Sequence, residues 1–196
     1  MKITIVAFGD SLTVGFQSPT YEQPWYVETP YTDFLKEKVH FKAEFIVRGI
    51  SGELTSDMLE RFDRDVLEMR PDYVVILGGT NDLGWGVSVN EAVENLNAMY
   101  QKSKTNGITP VAVTVPSIRG VDSAIAPRLA LNSMIIQRSK EMGFPCIDLF
   151  SATCEKSTLA LAPQYSNDGL HLSTEGYKMI ADLLYNEVFR YVGSEG

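Results

Sequence analysis

The feature that most constrains the fold is a regular alternation of short apolar runs with longer segments of helical periodicity. Residues 72–77 are apolar almost throughout, which is typical of a strand covered on both faces. Strands of this kind that alternate with helices predict a three-layer α/β domain, doubly wound around a five-stranded parallel sheet in the order 2-1-3-4-5. The strand candidates are 2–8, 43–47, 72–77, 109–115 and 145–149.

Capping residues and apolar stripes predict the helices between these strands. Thr55 is expected to be the N-cap of one helix, and Ser88–Glu91 matches a capping box at the start of the next. Gly107 is expected to end that second helix. A third helix is predicted over 125–142, and Ser173 is expected to cap the last one. The residues assigned to the apolar side of the third helix are Leu129, Ile135 and Ile136.

Composition narrows the class of protein. The chain has 196 residues, 44% of them hydrophobic and 21% charged, which fits one globular domain over 1–196 with a sizeable core. The net charge of −8 and the lack of Lys/Arg clusters argue against nucleic acid or an anionic membrane surface as a partner. The oligomeric state is not indicated.

The sequence also bears on location and redox state. No apolar stretch approaches the roughly 20 residues that span a bilayer. Because Met1 leads directly into the first predicted strand, we expect a cytoplasmic protein, unless a leader has been trimmed. Cys146 and Cys154 lack metal-type spacing and are expected to be reduced and packed.

Four polar, glycine-containing turns follow apolar runs or precede the last helix. In open parallel sheets, ligands bind beyond the carboxyl ends of the strands, so these turns are expected to meet at one rim. They are Gly9-Asp10-Ser11-Leu12, Arg48-Gly49-Ile50-Ser51-Gly52, Gly78-Gly79-Thr80-Asn81-Asp82 and Asp168-Gly169-Leu170-His171.

The residue types in these turns are complementary for acyl transfer. A serine such as Ser11 becomes a nucleophile when a base takes its proton, and His171 is one of only two histidines. Asp168 precedes His171 by three residues, so a short loop can let its carboxylate orient the imidazole. The backbone N–H groups of Ser11 and Gly52 and the Asn81 amide can supply oxyanion donors.

The four blocks together resemble the SGNH hydrolases, also called GDSL esterases or lipases. Each block alone is a weak signal, but four in order along nearly the whole chain are specific. The matching segments are G-D-S-L at 9–12, G-I-S-G at 49–52, G-T-N-D at 79–82 and D-G-L-H at 168–171.

The resemblance implies a flavodoxin-like fold, a small-molecule ester substrate, and neither cofactor nor metal. It implies that Ser11 is the nucleophile, that His171 is the base and then the acid, and that Asp168 orients His171. Ser11, Gly52 and Asn81 would form the oxyanion hole. The sequence departs from the family at Val47, where members often have an Asn that we expect to brace the second block.

Substrate and subsites are less constrained. The aromatic segment over 16–31 is either a pocket wall or a loop that packs its own rings. Leu12, Thr80, Trp25 and Ile118 are candidate substrate contacts. The function predicted is hydrolysis of small carboxylic esters through an acyl-enzyme, with two alternatives at the same site. These are deacetylation of acetylated carbohydrates, and a thioesterase or lysophospholipase activity. A rival of another class, a phosphate- or flavin-binding domain, is disfavoured because the first turn lacks the corresponding glycine patterns.

Overall fold

Five parallel strands form the central sheet of the computed structural model, which describes residues 2–192. Numbered along the chain, they lie in the predicted order 2-1-3-4-5, with the first strand between the second and the third. The strands are β1 (Ile3–Gly9), β4 (Ala43–Gly49), β5 (Tyr73–Leu77), β6 (Thr109–Val113) and β7 (Cys146–Ile147).

A small antiparallel hairpin was not predicted from the sequence. Strand β2 (Phe16–Gln17) pairs with β3 (Val27–Glu28) beside the main sheet. Two-residue strands are too short to show an alternating pattern, so no periodicity announces them.

Helices cover both faces of the sheet. The helix predicted over 125–142 has those bounds, and Ser88 and Ser173 cap their helices by accepting hydrogen bonds from Glu91 N and Gly176 N. The helices are α1 (Ser11–Val14), α2 (Tyr31–Lys38), α3 (Thr55–Asp65), α4 (Thr80–Trp85), α5 (Val89–Thr105), α6 (Ile125–Met142), α7 (Leu149–Thr153) and α8 (Thr174–Glu187).

The core lies in two layers, one on each side of the sheet. In β1, Ile5 and Ala7 face the layer that α2 and α8 complete, whereas Val6 and Phe8 face the layer of α3, α5 and α6. All four side chains are fully buried. Because successive residues of a strand point to opposite faces, a strand covered on both sides must be apolar at every position.

Two local predictions were wrong. Thr55 is the first helical residue of α3 rather than its N-cap, because Leu54 has the extended backbone of the capping position. Leu129 is 39% exposed, whereas Ile125 and Leu131 of the same helix are buried. Ile135 is buried, as predicted, so the buried face of α6 overlaps the predicted one, but it excludes Leu129 and includes the polar residue Asn132.

Within residues 2–192, no helix is long and apolar enough to cross a bilayer. Cys146 and Cys154 are both free thiols and partly buried, as predicted. Burial raises the pKa of the Cys146 thiol to about 11, so it stays protonated near neutral pH.

Asn132 holds the chain where β6 leads into the loop toward the candidate site. Its amide accepts a hydrogen bond from Val115 N at 2.8 Å and donates to Val115 O at 2.9 Å. These two bonds satisfy the backbone groups of one buried residue, much as a neighbouring strand would.

We expect Asn132→Leu to lower the free energy of unfolding by about 2–4 kcal/mol, because it leaves a buried N–H and C=O unpaired. Urea denaturation measures this change. Ser133→Ala, at the exposed neighbouring position of α6, is the matched control and should change stability by less than about 0.5 kcal/mol. Equal effects of the two substitutions would contradict this role for Asn132.

Candidate active site

Ser11 stands at the first residue of α1, directly beyond the carboxyl end of β1. Asp10 is the N-cap, and its Oδ1 accepts a hydrogen bond from Leu12 N at 2.9 Å. The Ser11 residue is 7% exposed. Its hydroxyl and its backbone N–H form no hydrogen bond with the residues in 2–192. The turn thus presents an unpaired hydroxyl at the rim of the sheet.

The loop before α8 brings Asp168 and His171 together. Asp168 Oδ2 lies 2.8 Å from His171 Nδ1, and Oδ1 accepts from the backbone N–H groups of Leu170 and His171 at 2.8 and 2.7 Å. Burial acts to raise the pKa of Asp168, but hydrogen bonds from Ser18, His171 and the backbone outweigh it and hold that pKa well below its usual range. The carboxylate is therefore ionised throughout the neutral range.

The segment after Ser11 contacts this acid–imidazole pair directly. The Phe16 ring meets the His171 ring edge-on, with centroids 4.6 Å apart. The Ser18 hydroxyl donates to Asp168 Oδ2, and Asn167 Nδ2 donates to the Ser18 carbonyl at 3.3 Å. The same stretch of chain that carries Ser11 therefore also fixes the orientation of His171.

Asn81, in the third turn, is held by the backbone carbonyl of Glu53, which directly follows the second turn. Its Nδ2 donates to Glu53 O at 2.9 Å, and its second contact, to Asp10 Oδ2, is long at 3.5 Å. One N–H of the amide is therefore firmly bound, and the other is available to a ligand.

Asp82 joins the same two turns at the base of α3. Its carboxylate accepts from Thr55 N at 3.0 and 3.2 Å and from Thr55 Oγ1 at 2.6 Å. Asp82 is fully buried. Asp82 is thus a structural hydrogen-bond acceptor, and its partner lies 27 positions away in the sequence.

Gly52 projects its backbone into open space at the rim. Its φ of +86° lies in the region that favours glycine, and a Cβ there would meet nothing within 4 Å. Its N–H has no hydrogen-bond acceptor among residues 2–192. With Ser11 N–H and Asn81 Nδ2, this gives three donors that the protein itself does not fully use.

Sequence reasoning missed Arg61, which braces the turn that carries Gly52. Its side chain is 6% exposed and pairs with the carboxylates of Glu53 at 2.6 Å and Asp65 at 3.0 Å. It also donates to the carbonyls of Gly9 at 3.0 Å and Arg48 at 3.2 Å, and it lies 4.2 Å from the Phe8 ring centroid. From its position in the sequence of α3, Arg61 resembles an ordinary surface arginine, so no local pattern predicts its burial.

The predicted substrate contacts separate into two groups. Thr80 and Ile118 line a cavity of about 490 Å³ beside Asn81. Leu12 is buried in the core, and Trp25 is 79% exposed, so neither of these lines that cavity.

The aromatic residues of the segment over 16–31 differ in how far they are buried. Phe16 stacks on Tyr26 at 5.7 Å and Tyr31 is buried, whereas Tyr21 is fully exposed.

Arg119, which follows Ile118, donates through Nη2 to Ser166 O at 3.0 Å, so it supports the loop of His171 from outside.

Comparisons with known proteins bear on the family and the fold. A model described as the GDSL-like lipase/acylhydrolase family matches residues 7–179. A crystal structure of a GDSL-like lipase from Bacteroides thetaiotaomicron superposes with a TM-score of 0.77 at 26% identity, covering 93% of this chain and 86% of that one. An acetyl xylan esterase from Geobacillus stearothermophilus has the same fold, with a TM-score of 0.80 at 19% identity over 95% of each chain.

Among curated proteins, the uncharacterized lipoprotein YqeF of Bacillus subtilis is 35% identical over 123 residues. These residues are 59% of this chain and 50% of the relative, so the match covers half of the relative's length.

Arg61→Met should lower the free energy of unfolding by about 3–5 kcal/mol, because Glu53 would keep a nearly buried charge without its partner and Asp65 would keep only the exposed Arg64. Urea denaturation measures the change. Arg64→Met is the control: Arg64 lies on the same helix and also pairs with Asp65, but its side chain is 68% exposed. That substitution should change stability little. A similar loss for both variants would contradict the bracing role of Arg61.

Asp10 predicts a specific pH dependence of stability. Burial raises the pKa of its carboxyl from 3.8 to about 7; the hydrogen bond from Leu12 opposes this rise and Asp82 adds to it. Between pH 4 and 7 the folded state therefore holds a proton that the unfolded chain has lost, so this group makes stability fall as pH rises. Asp10→Asn stays neutral and keeps the acceptor for Leu12 N.

The stability of the Asp10→Asn variant relative to wild type should therefore grow from pH 4 to pH 7, by on the order of 4 kcal/mol, and stay constant above pH 8. Denaturation of both proteins across this range isolates the contribution of Asp10, since the other groups titrate alike in both. A difference that does not vary with pH would refute the raised pKa.

Proposed function

Because the chain belongs to the GDSL-like lipase/acylhydrolase family, whose members are hydrolases acting on esters, we propose that it is a cofactor-free serine esterase with Ser11 as its nucleophile. In the first step, Ser11 Oγ attacks the ester carbonyl carbon while His171 Nε2 takes the hydroxyl proton. The imidazolium then protonates the leaving alcohol, which leaves an acyl-enzyme. A water molecule, deprotonated by the same imidazole, cleaves this intermediate and restores Ser11.

Asp168 serves this chemistry by fixing the imidazole. Its contact with Nδ1 at 2.8 Å is the observation that carries the proposal, since it keeps the proton on Nδ1 and turns Nε2 into the free base. The low pKa of Asp168 supports this role, because a permanently ionised carboxylate stabilises the imidazolium that forms during attack.

The oxyanion is proposed to rest on three donors, namely the N–H groups of Ser11 and Gly52 and the Asn81 amide. Support comes from their hydrogen bonding: the two backbone N–H groups have no acceptor among residues 2–192, and Asn81 is anchored on one side by Glu53 O. Donors held in place before the reaction stabilise the developing charge without having to reorganise.

The substrate remains a proposal in its details. Small acyl esters are proposed ahead of acetylated carbohydrates, because the aromatic segment over 16–31 that pointed to sugars does not line the cavity beside Asn81, whose one aromatic side chain among the described residues is Trp85. The acetyl xylan esterase shares the fold at 19% identity, which says nothing of this chain's substrate. Thioesterase or lysophospholipase activity would use the same residues.

A cytoplasmic location and a single domain over 1–196 also stay predictions. The curated relative from Bacillus subtilis carries the name lipoprotein. Fractionation of cells into soluble and membrane-bound material, with an antibody against this chain, would decide the location.

Ser11→Ala should lower turnover of para-nitrophenyl acetate by on the order of 10⁶-fold, and Asn81→Ala by about 10²–10³-fold. A serine-reactive phosphonate should label Ser11, as mapped by mass spectrometry. Asn90→Ala, at an exposed position of α5, is the matched control for Asn81→Ala and should keep full activity. Retention of most activity by Ser11→Ala would overturn the assignment of the nucleophile.

A further inference from the structure

The cavity beside Asn81 adjoins the proposed catalytic residues without including Ser11 or His171. Asn81 forms part of its wall, and Leu170 connects that wall to the neighbouring His171. Its volume of about 490 Å³ lies in the range of small-molecule binding sites. The remaining wall is mainly apolar and consists of Leu83, Gly84, Trp85, Ile118, Val121 and Ala124.

One charged side chain stands in this apolar wall. Arg128 is 2% exposed, and its guanidinium makes a single hydrogen bond, from Nη1 to Ala124 O at 3.0 Å. Its Nε is buried without a partner, and it forms no ion pair with any residue in 2–192. Thr80 Oγ1, in the same wall, is also buried and unpaired. The protein therefore leaves two polar groups of one cavity without their usual partners.

Comparison with Arg61 shows that a buried guanidinium without a carboxylate partner is unusual in this molecule. Arg61 is comparably buried, yet it has two carboxylate partners. Burial lowers the pKa of Arg128, but a guanidinium remains protonated in a protein, so the charge persists. A buried cation without a counter-ion is costly, which points to an anion supplied from outside the chain.

The chemistry of the cavity narrows the kind of anion. A single guanidinium matches the single charge of a carboxylate and can bind it with two parallel hydrogen bonds. A phosphate would bring up to two charges and three acceptor oxygens, whereas the described residues of this wall include one cation, Arg128. The apolar side chains around Arg128 suit methylene groups between the ester and the carboxylate.

We propose that the substrate is an ester bearing a carboxylate a few carbon atoms from the ester carbonyl, and that Arg128 binds this carboxylate in the cavity beside Asn81. This inference rests on the proposed function for the reaction, but the binding of the carboxylate does not depend on it. A half-ester of a short dicarboxylic acid is the simplest substrate of this class.

The test compares matched esters on the wild-type protein in a pH-stat. Monomethyl glutarate is compared with methyl valerate, and 4-acetoxybutanoate with butyl acetate, so that the carboxylate is on the acyl side in one pair and on the alcohol side in the other. We expect kcat/KM to be about 10- to 100-fold higher for the charged member of one pair. A preference in the first pair assigns the cavity to the acyl group, and one in the second assigns it to the alcohol. No preference in either pair overturns the proposal.

Variants separate recognition of charge from a structural role. Arg128→Met should abolish the preference for the charged ester, and Arg128→Lys should keep part of it, because only the charge is retained. The ratio of charged to neutral ester within each variant is the readout, since a merely structural change would lower both rates alike. Arg138→Met is the control on the same helix, where the side chain is 48% exposed and pairs with Glu141, and it should leave the ratio unchanged.

Calorimetric titration of the wild-type protein with glutarate and with the uncharged glutaramide removes the dependence on turnover. Glutarate binding that Arg128→Met abolishes supports the cavity assignment even if no ester is hydrolysed, in which case only the proposed function fails. Turnover of neutral esters, with neither a preference for charge nor glutarate binding, would leave the esterase standing and refute the role of Arg128.

Discussion

A single buried guanidinium ties the ends of two central strands together. Arg61 donates to the carbonyl of Gly9 at the end of β1 and to that of Arg48 near the end of β4. It also binds Glu53, the residue after Gly52. The Gly9 carbonyl also accepts a hydrogen bond from Ile50 N at 3.0 Å, so the backbone and the Arg61 side chain together satisfy this strand end. Through Glu53, the same side chain also braces the turn that presents Gly52.

The other turns are held by hydrogen bonds between blocks that are distant in sequence. Asp82 binds the first residue of α3, Asn81 binds the carbonyl of Glu53, and Ser18 binds Asp168. These long-range contacts add to the hydrogen bonds within the turns, such as that from Leu12 N to Asp10 and those from Leu170 N and His171 N to Asp168. A substitution in one turn is expected to displace groups in the next, so effects on catalysis within this network should not be additive.

Much of the fold follows from periodicity, because strands buried on both faces must be continuously apolar and exposed helices must be amphipathic. The sheet order and the bounds of α6 were predicted on these grounds. The face of α6 was predicted in part: Ile135 is buried as expected, but Asn132 and Arg128 are buried polar residues, and pattern reasoning assigns such residues to the surface. Leu129 was assigned to the buried face because it is apolar, although it is 39% exposed.

The site was predictable to the extent that its chemistry is local. The pairing of Asp168 with His171 needs only a three-residue loop, and the structure brings the two within hydrogen-bond distance. Arg61 and the Thr55–Asp82 contact arise only when separate segments fold together, so no spacing in the sequence encodes them. The same holds for Arg128. That its guanidinium has no carboxylate partner among residues 2–192 is evident only in the folded chain, and no sequence motif indicates it.

The open space around Gly52 has a consequence for how this site can change over generations. At Gly169 a positive φ coincides with a Cβ position only 2.7 Å from Arg119 O, so any side chain there meets fixed backbone. At Gly52 the cost is conformational alone, on the order of 1–2 kcal/mol, and Asn or Asp bear it more easily than other residues. Position 52 can therefore accept a substitution during evolution. A change to Asn or Asp would add a polar group beside the proposed oxyanion donors, and its Cβ would displace no neighbour.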